Sequence, residues 1–263
     1  VENATVHQWK CRDWFSHKVG FISASKCKDF FTRETTLERK GSTETTALAT
    51  SFASKPSIDT SRKLLRKPNN PRDWGLVKEE EARRPYLSVV RKQHHRVQLQ
   101  HKGFQISKKK PFLGASVDDI RTCKCSPNCG IVVVEYKCPW AHKNSDPKEA
   151  FLSKNVGGIR AGNSFSLAKN SKYYYQVQMQ LFVVGAKVCD FVVWTTKGIY
   201  TIAITFDPLF MNSVAVKLET FWVTQVFPLL FANQQNASSI QGNAHFNFFV
   251  QMLNITCAVS DTI

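Results

Sequence analysis

Residues 130–139, G-I-V-V-V-E-Y-K-C-P, combine the composition of a buried strand with two charged side chains. β-Branched and aromatic residues between a Gly and a Pro are typical of such a strand. Because side chains alternate faces along a strand, Glu135 and Lys137 point the same way. Buried charges are costly unless they are paired, hydrogen-bonded or bound to a metal. The two residues therefore form either a structural ion pair or part of a metal-dependent site.

A second strand-like stretch, residues 114–120, ends in the adjacent acids Asp118 and Asp119. The turn-rich segment 122–128 joins it to the first stretch and predicts a β-hairpin that brings an acid beside Glu135. Two carboxylates at that range repel each other, and one takes up a proton unless a cation lies between them. Carboxylate oxygens suit a hard divalent cation such as Mg²⁺. The hairpin therefore predicts a Mg²⁺ site.

Five short sequence pieces carry a family resemblance through their order along the chain. They are F-I-S-A-S (21–25), W-G-L-V-K-E-E-E-A (74–82), G-A-S-V-D-D (114–119), V-E-Y-K-C-P (134–139) and Y-Y-Y-Q-V-Q-M-Q (173–180). An acid, a hairpin and Glu-x-Lys in this order resemble the signature of the PD-(D/E)xK nucleases. The finer pattern resembles their lambda-exonuclease/YqaJ-like viral recombinase branch.

The resemblance implies an α/β fold with a central mixed β-sheet flanked by helices. It also implies a Mg²⁺- or Mn²⁺-dependent DNA nuclease, with 5′-to-3′ exonuclease action on linear double-stranded DNA in recombination or repair. Asp118, Glu135 and the backbone carbonyl of Tyr136 would hold the metal. Lys137 would orient or deprotonate the attacking water.

Further site residues follow from the same resemblance. Glu79, in Gly75-x3-Glu79-x2-Ala82, and Gln176, in Y-x2-Q-x-Q, would complete the catalytic centre. The residues that would contact the DNA and its 5′-phosphate are Lys18, Ser25 and Ser116.

Two positions depart from the family pattern. Asp119 stands where the family has Gly in Ser-x-Asp-Gly, so the acid of the site is either Asp118 or, one residue later, Asp119. Pro85 lies one turn beyond Glu79 in the helix predicted for residues 74–92, and we expect it to kink or split that helix.

Two other functions use the same features. A catalytically weak module that binds DNA ends shares the basic charge, and an RNA or DNA endonuclease of the same fold shares the acids. The presence of Asp118, Glu135 and Lys137 together favours a nuclease over a binding module.

The composition points to a polyanionic partner. The 263 residues carry a formal net charge of +16 at pH 7, which favours nucleic acid. We expect double-stranded DNA and, from the resemblance, a single-strand-annealing recombination protein and a homo-oligomer, a trimer in some relatives. Lys187 and Asp190 interrupt the richest apolar run, so no membrane span is expected. The expected location is intracellular, and nuclear in a eukaryote.

Residues 83–110 contain nine Lys or Arg and no acid. Such a run is either a solvated face or part of a groove that grips a duplex. His94, His95 and His101 are assigned to this basic strand region rather than to a metal site.

Eight cysteines in a chain of this length do not indicate a disulfide scaffold. Cys123, Cys125 and Cys129 cluster in the predicted hairpin loop, with Cys138 or Cys189 as the candidate fourth ligand of a structural zinc ion. The spacing C-x-C-x3-C differs from the paired C-x2-C of zinc knuckles, however, so free thiols are the expectation.

Hydrophobic periodicity and turn residues predict the remaining elements. Helices are expected at 45–52, 60–65, 74–92, 146–150, 171–184 and 208–231. Strands are expected at 103–107, 111–117, 130–139, 187–195 and 198–206, with a loop at 157–163. We predict one nuclease domain over residues 1–232 and a tail of unknown role over 233–263.

Overall fold

The chain forms an α/β fold in a computed structural model that describes residues 1–8, 17–42, 44–53, 69–125 and 129–235. Its helices are α1 (Cys27–Lys40), α2 (Ala47–Ala53), α3 (Pro71–Gln93), α4 (Pro147–Leu152), α5 (Lys172–Val184), α6 (Pro208–Phe221) and α7 (Phe227–Gln235). Its strands are β1 (Ile22–Ser23), β2 (Gln98–Gln100), β3 (Phe104–Ile106), β4 (Leu113–Ser116), β5 (Asp119–Thr122), β6 (Val132–Lys137), β7 (Gly158–Ala161), β8 (Ser164–Leu167), β9 (Val188–Thr195) and β10 (Gly198–Thr205).

A five-stranded mixed sheet, in the order β10-β9-β6-β5-β2, carries the centre of the fold. β6 and β9 run parallel, whereas the other neighbouring strands run antiparallel. A smaller sheet, β1-β4-β3, and the hairpin β7-β8 complete the strands of the described residues. This architecture confirms the predicted mixed sheet with flanking helices.

The two faces of β6 pack against different helices. Val134 and Tyr136 lie in one apolar cluster with Ala82 and Tyr86 of α3. Val133 lies in another cluster, on the face that α5 covers. The predicted alternation of faces is therefore confirmed, and the face that carries Glu135 and Lys137 looks toward α5.

The stretch predicted as one strand over residues 114–120 is in fact two strands in two sheets. β4 pairs with β1 and β3, and the chain then crosses to the central sheet, where β5 pairs with β6. Tight packing fixes β4, because a Cβ on Gly114 would lie only 2.1 Å from the ring of Phe104. The hairpin with β6 was predicted correctly, but β5 alone forms it. Asp118 lies at the crossing point between the two strands.

Pro85 does not split α3, which excludes one of the two effects expected of it. The helix runs unbroken over Pro71–Gln93, and Asn70 caps it by accepting a hydrogen bond from the backbone N–H of Asp73 at 2.9 Å. The proline removes one helical hydrogen bond. Ala82, Tyr86 and Val90 are buried on the side facing the sheet, and this packing supports the helix on both sides of the proline.

Most of the other predicted elements are present, with one loop assigned wrongly. Residues 158–167 form the hairpin β7-β8 around a left-handed Gly162, where a loop was expected. Exposed, weakly apolar strands of four residues leave little periodicity to detect. The helix predicted at 60–65 and nearly all of the tail lie outside the described residues.

By length and composition alone, the helical run Pro208–Ala232 is apolar enough to cross a membrane. Core helices of soluble proteins satisfy the same criterion. Met211, Val214 and Leu218 are buried in a core cluster that also contains Phe30 of α1. The apolar side of this run therefore serves the core, as its amphipathic pattern predicts.

Candidate active site

Glu135 lies near the end of β6 with both carboxylate oxygens engaged. Its Oε1 atom accepts hydrogen bonds from the ammonium of Lys137 and from Gln176 Nε2, the latter at 2.5 Å. Its Oε2 atom accepts one from Gln180 Nε2 at 2.6 Å. The side chain of Glu135 is 2% exposed and that of Lys137 is 17% exposed. The ion pair is therefore buried at its acidic end and partly exposed at its basic end.

Asp118 lies beside Glu135. Its Oδ2 atom accepts a hydrogen bond from the backbone N–H of Tyr136 at 2.7 Å, which places the carboxylate at the peptide that follows Glu135. Burial and the negative charges of Glu135 and Glu79 raise the pKa of Asp118, while the ammonium of Lys137 opposes that shift. The carboxylate is thus held next to two other acids, in a position that a cation would stabilise.

The side chain of Asp119 lies on the opposite face of the sheet. Arg83 Nε donates to its Oδ2 atom at 2.8 Å, and the hydroxyl of Tyr136 donates to the same atom at 3.0 Å. His101 Nδ1 lies 3.3 Å from its other oxygen. The structure therefore brings Asp118, and not Asp119, to Glu135, and Asp119 pairs with Arg83 instead.

Lys137 is held as a cation by its surroundings. Burial lowers its pKa, but attraction to Glu135 and Asp118 outweighs that effect, so the pKa is raised overall. Its ammonium also lies 5.0 Å from the centre of the Tyr173 ring, within the range of a cation–π contact. The arrangement favours the charged form of the lysine.

The donor set fits a hard divalent cation. Asp118 and Glu135 offer carboxylate oxygens side by side, and the charge of Glu79 is close enough to act on Asp118. The side-chain ligands on offer are carboxylates, so the chemistry of the cluster matches Mg²⁺ or Mn²⁺ rather than zinc. A cation there would offset the repulsion between the acids.

A cleft of about 1060 Å³ lies next to this cluster, although neither Asp118 nor Glu135 is among its lining residues. Glu79 of α3, Lys137 of β6 and Ser25 at the start of α1 are part of its wall. The basic side chains that line it are Lys28, Arg72, Lys137, Lys154 and Lys172. Against these five cations Glu79 is the single acid among the lining residues. The cleft therefore suits a polyanion.

Two residues predicted to contact the DNA and its 5′-phosphate, Lys18 and Ser116, are not among the residues that line the cleft. The ammonium of Lys18 lies 5.8 Å from the centre of the Phe104 ring, and burial lowers its pKa to about 8. The carbonyl of Ser116 accepts a hydrogen bond from Gln180 at 3.1 Å. Ser25 does line the cleft, together with Lys28, one helical turn further on.

Gln180 is a site residue that the sequence assignment missed. It is fully buried and links Glu135 to the end of β4 through its amide group. Its position four residues after Gln176, on the same face of a helix, was the available signal. Gln178 points away, since its amide bonds the backbone of Thr205 and Asp207.

Comparisons with known proteins identify the family and the fold. Residues 13–187 match the family model described as a YqaJ-like viral recombinase domain. No curated protein matches the chain at a significant level.

Among solved structures, the chain is similar to an alkaline exonuclease, LHK-Exo, from Laribacter hongkongensis. The TM-score is 0.54 at 16% identity, over 88% of this chain and 100% of that one. The complex of LHK-Exo with dAMP gives a TM-score of 0.56 at 16% identity over the same shares of both chains. A SOX–DNA complex gives 0.51 at 14% identity, over 88% of this chain and 71% of that one. At these identities the similarity concerns the fold.

Proposed function

The chain belongs to the family of YqaJ-like viral recombinase domains, and from that premise we propose that it is a metal-dependent deoxyribonuclease. Its proposed reaction is hydrolysis of phosphodiester bonds in linear double-stranded DNA, as a 5′-to-3′ exonuclease. The observation that carries the proposal is the meeting of Asp118, Glu135 and Lys137, with Lys137 itself in the wall of a basic cleft. Solved structures of similar fold include an alkaline exonuclease and a protein bound to DNA, which supports this substrate class.

Asp118 and Glu135, with the backbone carbonyl of Tyr136, would hold one or two Mg²⁺ or Mn²⁺ ions. When bound, such an ion lowers the pKa of a water ligand and neutralises charge on the leaving oxygen. Glu79 supplies a third acid from the facing helix. The protein thus provides oxygen ligands from a strand, a strand junction and a helix.

Gln176 and Gln180 position Glu135. Their amides donate to its two oxygens at 2.5 and 2.6 Å, which fixes the plane of the carboxylate. Each carboxylate oxygen has further lone pairs, so these bonds leave acceptor capacity for a cation. The two glutamines are therefore positioning residues in the proposal.

Lys137 carries the positive charge nearest to the acids and lines the cleft. In the proposed reaction it orients the attacking water and stabilises the negative charge that develops on the phosphoryl group. The raised pKa of Lys137 agrees with a cationic role.

Ser25 and Lys28 are the proposed contacts for the 5′-phosphate. Both line the cleft, whereas Lys18 does not. The ammonium of Lys28 donates to the carbonyl of Asn170, which is another cleft residue, at 2.5 Å. A lysine binds phosphate as a point charge without the fork geometry of arginine. We therefore expect 5′-phosphate to accelerate digestion without being essential.

Incubation of the protein with 5′-phosphorylated linear duplex, circular duplex and RNA, each with Mg²⁺, tests the proposal. Loss of the linear duplex alone, with mononucleotide products and no activity in EDTA, is the expected result. Glu135→Gln removes a ligand charge at nearly constant size, and we expect no detectable digestion by this variant.

The other outcomes separate the alternatives. Cleavage of circular DNA would indicate an endonuclease, and cleavage of RNA alone would indicate an RNA-directed enzyme. Retention of linear DNA on the protein with no product at any Mg²⁺ or Mn²⁺ concentration would favour a module that only binds DNA ends.

Partners beyond DNA belong to the same proposal. A single-strand-annealing protein would receive the strand that digestion exposes, and a ring of subunits would retain the duplex during digestion. Both follow from family membership. An intracellular location, nuclear in a eukaryote, follows from the substrate.

A further inference from the structure

Four side chains of metal-binding type meet at the tip of the β5-β6 hairpin. They are His94, Cys123, Cys125 and Cys129, and their ligand atoms all lie within 4.8 Å of one another. His94 directly follows α3, two of the cysteines follow β5, and the third precedes β6. Sequence reasoning placed the histidine in the basic region and looked for the fourth ligand at Cys138 or Cys189. Those two cysteines are buried, and neither is part of the cluster.

The distances between the ligand atoms are those of a small tetrahedral site. Nδ1 of His94 lies 3.7, 3.3 and 3.9 Å from the sulfur atoms of Cys123, Cys125 and Cys129. The sulfur of Cys125 lies 2.9 Å from that of Cys123 and 3.3 Å from that of Cys129. Zinc bonds of about 2.3 Å to sulfur and about 2.0 to 2.1 Å to nitrogen give tetrahedral edges of about 3.5 to 3.8 Å. A single ion therefore fits between the four atoms with small adjustments.

The types of ligand select the ion. Thiolates and an imidazole nitrogen suit zinc, whereas Mg²⁺ prefers oxygen ligands. An iron–sulfur cluster is larger than one ion and needs ligands that stand further apart. A set of four protein ligands leaves no open position for a reacting water, so the site would be structural.

The surroundings of the four residues also favour a metal. Cys125 is exposed and the other three are half-buried, so apolar packing contributes little to holding them together. The backbone N–H of Lys124 donates to the carbonyl of His95 at 2.8 Å. This bond joins the hairpin tip to the end of α3 beside the cluster and pre-orders His94 and Cys125.

From these observations we propose that His94, Cys123, Cys125 and Cys129 bind one structural zinc ion. The ion fastens the C-terminal end of α3, the helix that carries Glu79, to the hairpin that carries Glu135 and follows Asp118. It lies roughly 16 Å from the acids, the length of five strand residues between Asp118 and Cys123. It is therefore a second metal site with a different chemistry from the catalytic one.

Metal analysis of the purified protein, with any affinity tag removed, tests the proposal. We expect about one zinc per chain in the wild-type protein and in Asp118→Asn, which alters only the oxygen site. His94→Ala and Cys125→Ser should lose the zinc, while the matched controls His95→Ala and Cys189→Ala should keep it. In the protein loaded with Co²⁺, thiolate-to-cobalt charge-transfer bands and the visible bands of tetrahedral cobalt should appear and should disappear in His94→Ala.

A second measurement, made on the wild-type protein, tests the proposal even if the variants fold poorly. A strong zinc chelator should lower the melting temperature of the wild-type protein, and added zinc should restore it. Three results would each overturn the proposal: a well-folded wild-type protein without zinc, a Cys123–Cys125 disulfide, or iron with acid-labile sulfide. Zinc that survives His94→Ala but is lost in Asp118→Asn would overturn it as well, since the metal would then belong to the catalytic cluster.

Discussion

Glu79 is the residue whose role depends most on its position within a helix. It shares α3 with Glu80 and Glu81, but only Glu79 lines the cleft, whereas Glu81 pairs with Lys78 at 2.5 Å on the surface. We predict that Glu79→Ala lowers the rate of DNA digestion about 10- to 100-fold, the range found for groups that support a metal site. The loss should shrink as Mg²⁺ is raised.

Glu81→Ala is the matched control, with the same change of charge two residues away. Digestion rates measured over a range of Mg²⁺ concentrations distinguish the two variants. Equal losses in both would mean that Glu79 acts only through the net charge of the helix.

Individual site residues could be predicted from the sequence where their spacing along a strand fixes the direction of the side chains. The alternation of β6 put Glu135 and Lys137 on one face, whereas Gln176 was assigned to the site through the family resemblance. The choice between Asp118 and Asp119 depended on where the chain leaves the smaller sheet, which no local pattern records. His94 lies 29 residues before Cys123, so only the folded chain shows that they meet.

α3 continues through an interior proline, Pro85, so the stability of a variant at this position tests how the helix accommodates it. Pro85 cannot donate a hydrogen bond to the carbonyl of Glu81, yet the helix continues. Replacing proline by alanine in a helix interior stabilises the helix by up to about 3 kcal/mol where the backbone is already helical. We predict that Pro85→Ala raises the free energy of unfolding by about 1 to 3 kcal/mol, as measured by urea denaturation.

The opposite change is Ala82→Pro, which introduces a proline about one turn earlier in α3. It should destabilise the protein strongly, since Ala82 is fully buried against the sheet. A decrease in stability for Pro85→Ala would indicate that the helix needs a bend at this position.

At the scale of elements, the long periodic segments were predicted most accurately, whereas the hairpin β7-β8 and the switch between β4 and β5 were missed. α5, β9, β10 and the run that includes α6 were expected at nearly their observed bounds. The passage of the chain from one sheet to the other between β4 and β5 was missed because the local composition is that of a single strand. Tertiary packing decided that switch, through the Phe104 ring over Gly114 and the Asp118 bond to Tyr136.

At the scale of the whole molecule, the basic residues that line the cleft are expected to make the phosphate contacts with DNA. Each phosphate contact that is lost should reduce the slope of log affinity against log salt by about 0.9. We predict that Lys154→Ala with Lys172→Ala, both on the cleft wall, lowers the magnitude of that slope by about 2. Binding is measured with duplex DNA and Ca²⁺, so that cleavage does not interfere.

The control pair is Lys187→Ala with Lys197→Ala. Both lysines are exposed and neither lines the cleft. An equal change of slope in both pairs would mean that DNA contacts the molecule without preference for the cleft. The net charge of +16 predicted a polyanionic partner, but only the fold shows which of the basic residues share one surface.

The central claim is that Asp118 and Glu135 together bind a divalent cation. Anomalous diffraction at the manganese absorption edge, from crystals soaked in Mn²⁺, tests it most directly. The account predicts an anomalous peak between the two carboxylates that is absent in crystals of Glu135→Gln. The absence of a peak between the two carboxylates, while Glu135 keeps its bond to Lys137, would contradict it.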